Sequence, residues 1–225
     1  MTATKGFLST ASAALIDILE GLSTEIRMTR GQVLFEAGDP GDALFAVTEG
    51  ALEISVYSED GRKLTLDIMR AGSILGEITL FDPGPRTATA TALEPTVLRR
   101  VRHCDVLSEI TKTPELAIDL IHLAGKRMRY MNRQLNEQVF LPVPLRLARK
   151  ILYLTQSDDP AKLKDHGMSL RLSQAELAEF VGATREAVSK TLSNWKKDGV
   201  VEASRGGLTV LDRPALELIA EPEFI

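Results

Sequence analysis

Two clusters of side chains in this chain have the types and spacing for chemistry. The first is Gly76-Glu77 followed, after a turn rich in Pro and Gly, by Arg86-Thr87. Glu77 offers a carboxylate that can accept from a sugar hydroxyl. Arg86 and Thr87 set a guanidinium beside a hydroxyl, which suits one anionic phosphate. Gly76 lets backbone approach a ligand closely. One carboxylate and one arginine fit a nucleotide of few charges better than a triphosphate. The same residues would also make a Glu77–Arg86 salt bridge with no ligand, and their types alone leave both readings open.

The second cluster runs from Leu172 to Val201. Gln174 to Val181 has the pattern of a short amphipathic helix, capped by Ser173 with Glu176 three residues on, a capping box. Gly182 follows where the chain must turn sharply. Ala178, four residues earlier, is small enough for close helix approach. Thr184 can cap a second helix running to about Lys197, and Val188 packs it back on the first. This is the spacing of a helix-turn-helix. A strand–turn–strand, Val200 to Val210 with Gly206-Gly207 at the turn, makes a wing. In such a motif the first residues of the second helix enter the major groove. Here they are Arg185, Glu186 and Ser189-Lys190, and the capping Thr184 is counted with them as a DNA-binding residue. Arg185 can donate twice to guanine O6 and N7, and Glu186 can accept from cytosine N4. The alternative is an exposed charged helix with a Glu186–Lys190 pair. Gly182, Val188 and the wing together favour DNA reading.

These clusters need elements to hold them. Phe7 to Leu22 reads as one or two short helices. Thr29 to Arg102 is a series of short β-rich runs separated by turn signals, with Asp60-Gly61 marking a hairpin and Thr87 to Val101 alternating as a strand pair would. Such a series suggests a sandwich or barrel-like roll. After Pro114 a stripe of Leu116, Leu120, Leu123, Arg127, Met131, Leu135 and Val139 predicts about 24 residues of helix. A small domain does not cover a helix that long, so pairing with a second copy is favoured over packing on the roll. Pro142 and Pro144 break it and mark a hinge. Leu145 to Thr155 is helical again, Ser157-Asp-Asp-Pro is a turn, and Met168 to Leu172 is a short strand.

Composition bounds the rest. The chain has 225 residues, 44% hydrophobic and 26% charged, as a soluble globular protein of two domains would. No apolar run approaches the roughly 20 residues that span a bilayer, and no secretory-type stretch opens the chain. A cytoplasmic location without membrane contact is expected. One cysteine, Cys104, cannot form an internal disulfide. Its neighbours His103 and Asp105 read as polar surface. His103, His122 and His166 are scattered, which argues against a metal site. No nucleophile–base pair is visible, which argues against an enzyme. The net charge of −4 is uneven: −4 over Met1–Val139, +3 over Phe140–Arg213, −3 thereafter. A basic module within an acidic chain is compatible with local DNA binding.

Three segments together carry a resemblance: Gly31-Gln-Val-Leu-Phe-Glu-Ala-Gly-Asp-Pro, Gly76-Glu77 through Arg86-Thr87, and Val181-Gly-Ala-Thr-Arg-Glu-Ala-Val-Ser-Lys. Over nearly its whole length the chain resembles the bacterial CRP/FNR superfamily of transcription regulators, in particular its cyclic-AMP receptor branch. The resemblance implies an α+β architecture: a jelly-roll-like cyclic-nucleotide-binding β-roll over 1–113, a dimerisation helix and hinge over 114–141, and a winged helix-turn-helix over 142–225. It places Glu77 on the ribose 2′-hydroxyl, Arg86 and Thr87 on the cyclic phosphate, Gly76 against the ribose with Ile78 beside it, and Arg127 near the pocket. Met131 and Asn132 stand where the receptor has two base-contacting hydroxyls. Asn132 both donates and accepts, so adenine or guanine would satisfy it. Ser173 matches a phosphate-contacting hydroxyl. Lys190 replaces an arginine and cannot make its bidentate guanine contact. The implied protein is a homodimer that binds palindromic DNA of TGTGA-type half-sites, is controlled by a cyclic nucleotide (cyclic AMP before cyclic GMP), uses no metal and works with RNA polymerase. Oxygen-sensing relatives carry an N-terminal cysteine cluster and carbon-monoxide sensors a haem histidine; neither has a counterpart before His103. A nucleotide-independent regulator, constitutive or redox-gated through Cys104, is the alternative.

Overall fold

The computed structural model describes residues 21–155, 168–170, 172–204 and 207–221. The helices expected over Phe7–Leu22, the Ser157 turn, His166 and Gly206 lie wholly or mainly outside these. The chain divides into two compact units, Met1–Met131 and Asn132–Ile225.

The first unit contains β1 (Thr24–Met28), β2 (Val33–Phe35), β3 (Ala43–Glu49), β4 (Ala51–Tyr57), β5 (Lys63–Arg70), β6 (Ile74–Leu75), α1 (Ile78–Phe81), β7 (Thr89–Ala92), β8 (Thr96–Arg102) and α2 (His103–Lys112). The strands form two four-stranded sheets, β1-β8-β3-β6 and β2-β7-β4-β5, all of whose pairings are antiparallel. This is the expected roll. The Asp60-Gly61 hairpin joins β4 to β5, with Gly61 at a φ of 79°. The strand pair expected over Thr87–Val101 is corrected: both strands exist, but β7 and β8 lie in different sheets. Alternation shows that a segment is extended, not which neighbour it joins.

Phe45, Val47, Leu52, Ile54, Met69, Leu75 and Leu98 pack together in one core. The neighbours of the β3 residues in that core, Leu44 and Ala46, face a second core with Val101, Val106, Leu116, Leu120 and Leu123. Burial on both faces explains why β3 reads as a continuous apolar run.

The helix α3 (Glu115–Phe140) crosses the division between the units. Its stripe splits in two. Leu116, Leu120 and Leu123 are buried in the roll's second core, the alternative that the sequence disfavoured. Its exposed large apolar residues are Ile118, Ile121, Met128, Met131, Leu135, Val139 and Phe140.

The second unit adds α4 (Val143–Leu154), β9 (Met168–Leu170), α5 (Gln174–Val181), α6 (Arg185–Lys197), β10 (Val201–Ser204), β11 (Gly207–Val210) and α7 (Arg213–Ala220). Helix α4 starts two residues earlier than expected, because Pro144 sits in its first turn, where no amide donor is needed. The hairpin β10–β11 takes β9 as a third strand. Helix α7 was not foreseen, although Asp212 caps it and Pro214 occupies its first turn.

Candidate functional site

The Gly76–Thr87 segment lines a pocket with Phe35, Ile54, Leu75 and, from α3, Arg127. Its empty space is about 360 Å³ when the open solvent at its mouth is included. Gly76 has a φ of +88°, a conformation that favours glycine. A Cβ there would lie 2.7 Å from the Ala43 carbonyl oxygen and 2.7 Å from Arg86 Nη1. The glycine is needed both for the turn and for the arginine that crosses it.

Arg86 is only 5% exposed. Its Nη2 donates to the Ala43 carbonyl at 2.9 Å, and its Nη1 to Thr79 Oγ1 at 3.2 Å and the Gly76 carbonyl at 3.4 Å. The guanidinium carbon sits 4.5 Å from the Phe35 ring centroid and 5.5 Å from that of Phe45. Burial lowers its pKa, while Asp42 and Glu77 oppose that shift. An arginine stays charged regardless. Its Nε is buried with no hydrogen-bond partner among the described residues. A buried cation held by neutral acceptors, with one donor unmet, is prepared for an anion.

Glu77 is also buried, and Arg127 Nε stands 3.5 Å from its Oε1. Among the described residues Glu77 pairs with Arg127 and not with Arg86, so the internal bridge that the sequence left open is not formed. Arg127 also lies 4.0 Å from Asp67 Oδ2, with its Nη1 3.4 Å from Met69 Sδ. Tyr130 donates its hydroxyl to Asp67 Oδ1 at 3.2 Å. Asp67 and Tyr130 were not singled out from the sequence. Tyr130 lies three residues beyond Arg127, a helical neighbour, but Asp67 comes from β5 and only the fold brings it there. Of the eight expected nucleotide residues, Gly76, Glu77, Ile78, Arg86, Thr87 and Arg127 share the pocket. Met131 and Asn132 are exposed on α3, outside this lining.

His103 corrects the reading of a polar surface. It begins α2 half-buried, its Nε2 out of reach of solvent and without a partner among the described residues. Burial and the charge of Arg86 lower its pKa, against the carbonyls of Gly76 and Ala43 and the Asp42 carboxylate. Cys104 is exposed, and Asp105 takes both bonds of Arg102 at 2.8 Å.

In the second unit the helix-turn-helix is built as its sequence implies. Ser173 Oγ accepts the Glu176 amide at 3.2 Å, and the Glu176 carboxylate accepts the Ser173 amide at 2.7 Å. Gly182 ends α5 in the left-handed region at a φ of 57°. Thr184 Oγ1 caps α6 by accepting the Ala187 amide at 3.2 Å. Val188, Leu192 and Trp195 bury one face of α6. Arg185, Glu186 and Lys190 stand exposed on the other, with Ser189 half-buried between them. Among the described residues none of those three is in an ion pair, so the Glu186–Lys190 bridge is not what orders them.

Among the described residues no cluster of three or more metal-type ligands occurs, and no helix is long and apolar enough to cross a membrane.

Comparison with known proteins agrees with this geometry. A cyclic nucleotide-binding domain is recognised over residues 25–112 and a Crp-like helix-turn-helix domain over residues 145–219. The CRP-like cAMP-activated global transcriptional regulator of Mycobacterium tuberculosis is 31% identical over 212 residues, 94% of this chain and 93% of that one. The cyclic AMP receptor protein of Thermus thermophilus is 31% identical over 191 residues, 85% of each chain. A solved CRP/FNR-family transcriptional regulator of Thermus thermophilus superposes with a TM-score of 0.76 at 25% identity, covering 89% of this chain and all of that one.

Proposed function

This chain belongs to the CRP/FNR family of DNA-binding, cyclic-nucleotide-binding transcription regulators, and from that premise we propose that it is a homodimer switched onto palindromic DNA by cyclic AMP. The observation that carries the effector is Arg86, a buried cation with an unmet donor in the pocket that holds Glu77. In this reading Arg86 and Thr87 take the cyclic phosphate and Glu77 accepts from the ribose 2′-hydroxyl. Gly76 and Ile78 line the sugar, and Arg127 exchanges part of its pairing with Glu77 for contact to the ligand. Met131 and Asn132 read the base. One named relative is cAMP-activated and the other is a cyclic AMP receptor, which favours adenine over guanine.

The division of labour follows the three parts expected from the sequence: roll to 113, helix and hinge to 141, reader from 142. Helix α3 pairs with its copy through its exposed apolar face. The two α6 helices then stand about 34 Å apart and read TGTGA-type half-sites. Arg185 takes guanine, Glu186 takes cytosine, and Lys190 takes guanine or phosphate. Ser173, Thr184 and Ser189 hold the backbone. The dimer acts on promoters together with RNA polymerase.

The test is calorimetric titration of the purified dimer with cyclic AMP and then cyclic GMP, with Arg86→Ala as the control. Micromolar binding that is lost in the variant supports the phosphate site, and the preferred base reports on Asn132. If neither nucleotide binds, the nucleotide-independent reading replaces this one.

A further inference from the structure

The last turn of α3 lies in the second unit and is held there by two arginines of α4. Arg146 donates from Nη1 to Gln138 Oε1 and also, at 2.7 Å, to the carbonyl of Val181. Arg149, three residues on, donates from Nη1 to Glu137 Oε1 at 3.0 Å and from Nε to the Ala220 carbonyl at 2.8 Å. Val181 and Ala220 are the last residues of α5 and α7. Their carbonyls are among those a helix end leaves without a partner, and the dipole favours a cation there. The two arginines therefore bridge the end of α3 to the carboxyl ends of two helices of the reader.

Gln138 also meets the turn itself. A Cβ on Gly182 would lie 2.8 Å from Gln138 Nε2 and 3.0 Å from its Oε1. Gly182 is thus fixed by its left-handed φ and by the amide that fills the space a side chain would take. Two residues later Thr184 caps α6, the end that carries Arg185 and Glu186.

Arg146 is costly where it stands. Burial lowers its pKa, and its Nε is buried with no partner among the described residues. A half-buried cation with one donor unmet contributes little to stability compared with a packed apolar side chain of similar size. Its geometry gives it another use. We propose that Arg146 and Gln138 are positioning residues for DNA reading: they tie the Val181–Gly182 turn, and with it the start of α6, to the last turn of α3. In a dimer paired through α3, this joint sets where each α6 meets its half-site. The inference rests on the reading that α6 is the recognition helix and extends it to the device that aims that helix.

The experiment uses the full-length protein and the palindrome that the parent selects from a random DNA pool. Gln138→Ala and Arg146→Met are expected to lose between about five- and 150-fold in affinity for that palindrome, the range of ordinary coupling energies between sites. Affinity for random DNA at low salt is expected to match the parent, because it reports phosphate contacts alone. Gln138→Glu keeps the acceptor for Arg146 and is expected to recover the parent's affinity, whereas a loss in this variant equal to that in Gln138→Ala overturns the tie between the two residues. Amide exchange at Gly182 and Ala183 is expected to quicken in Gln138→Ala. Parent-like affinity for the palindrome in both loss variants overturns the joint, and so does an equal loss on random DNA. If the parent selects no sequence, the recognition-helix reading has failed, and the exchange measurement alone then decides the joint. Unchanged exchange overturns it.

Discussion

At Gly76 there is room for a hydrogen and nothing more. The Ala43 carbonyl and Arg86 Nη1 occupy the space on either side, and the backbone is left-handed. Gly76→Ala is expected to push Arg86 off its acceptors and weaken nucleotide binding by at least about tenfold, roughly 1.4 kcal/mol. Calorimetry against the parent checks this, and equal affinities would contradict it. His103 gives a second residue-scale expectation. It is held neutral by burial and by Arg86. The unfolded chain takes up its proton near pH 6.5, before the folded protein does. Stability tied to His103 is therefore complete above that pH and falls as the solution is acidified toward the lower folded pKa. Thermal melts from pH 7.5 to 5.5 are expected to show a shallower decline in His103→Gln than in the parent, and parallel declines would rule the residue out as the cause. Glu77 and Arg86 could be found by type and spacing within one segment. His103 and Asp67 could not, because strands and helices distant in sequence give them their surroundings.

Elements show the same boundary between what periodicity reveals and what it withholds. The apolar repeat of α3 marks a helix, and it is one. It does not say that Leu116, Leu120 and Leu123 serve the roll while another set stays outside. Ile118, Ile121, Met128, Leu135 and Val139, with Gly125 and Asn132 in the gaps, alternate three and four residues apart along α3. That is the spacing a coiled-coil seam would need for the proposed pairing, with a polar residue at one position of the kind that fixes register. If α3 pairs with its copy as proposed, Leu135→Glu is expected to sediment as a monomer while leaving the circular dichroism of the roll unchanged. A dimer that survives would move the seam elsewhere. Turn and cap signals were more informative than alternation. Ser173, Gly182 and Thr184 act locally, so their roles are written in neighbouring residues, and the helix-turn-helix is found where they place it. Pairing of β7 and β8 is a long-range choice that local pattern does not encode.

In the whole molecule, an acidic sensor unit shares one chain with a reader in which Phe140–Arg213 carries +3, and α3 runs from one unit into the other. A ligand in the roll changes DNA binding only if it binds the DNA-competent state more tightly, and DNA must then tighten the ligand by the same factor. The most direct measurement is the fluorescence anisotropy of the labelled palindrome titrated with dimer at fixed salt, with and without saturating cyclic AMP. Cyclic AMP is predicted to tighten binding by about five- to 150-fold, with Arg86→Ala indifferent to it. Identical DNA affinity for the parent with and without the nucleotide would contradict the account.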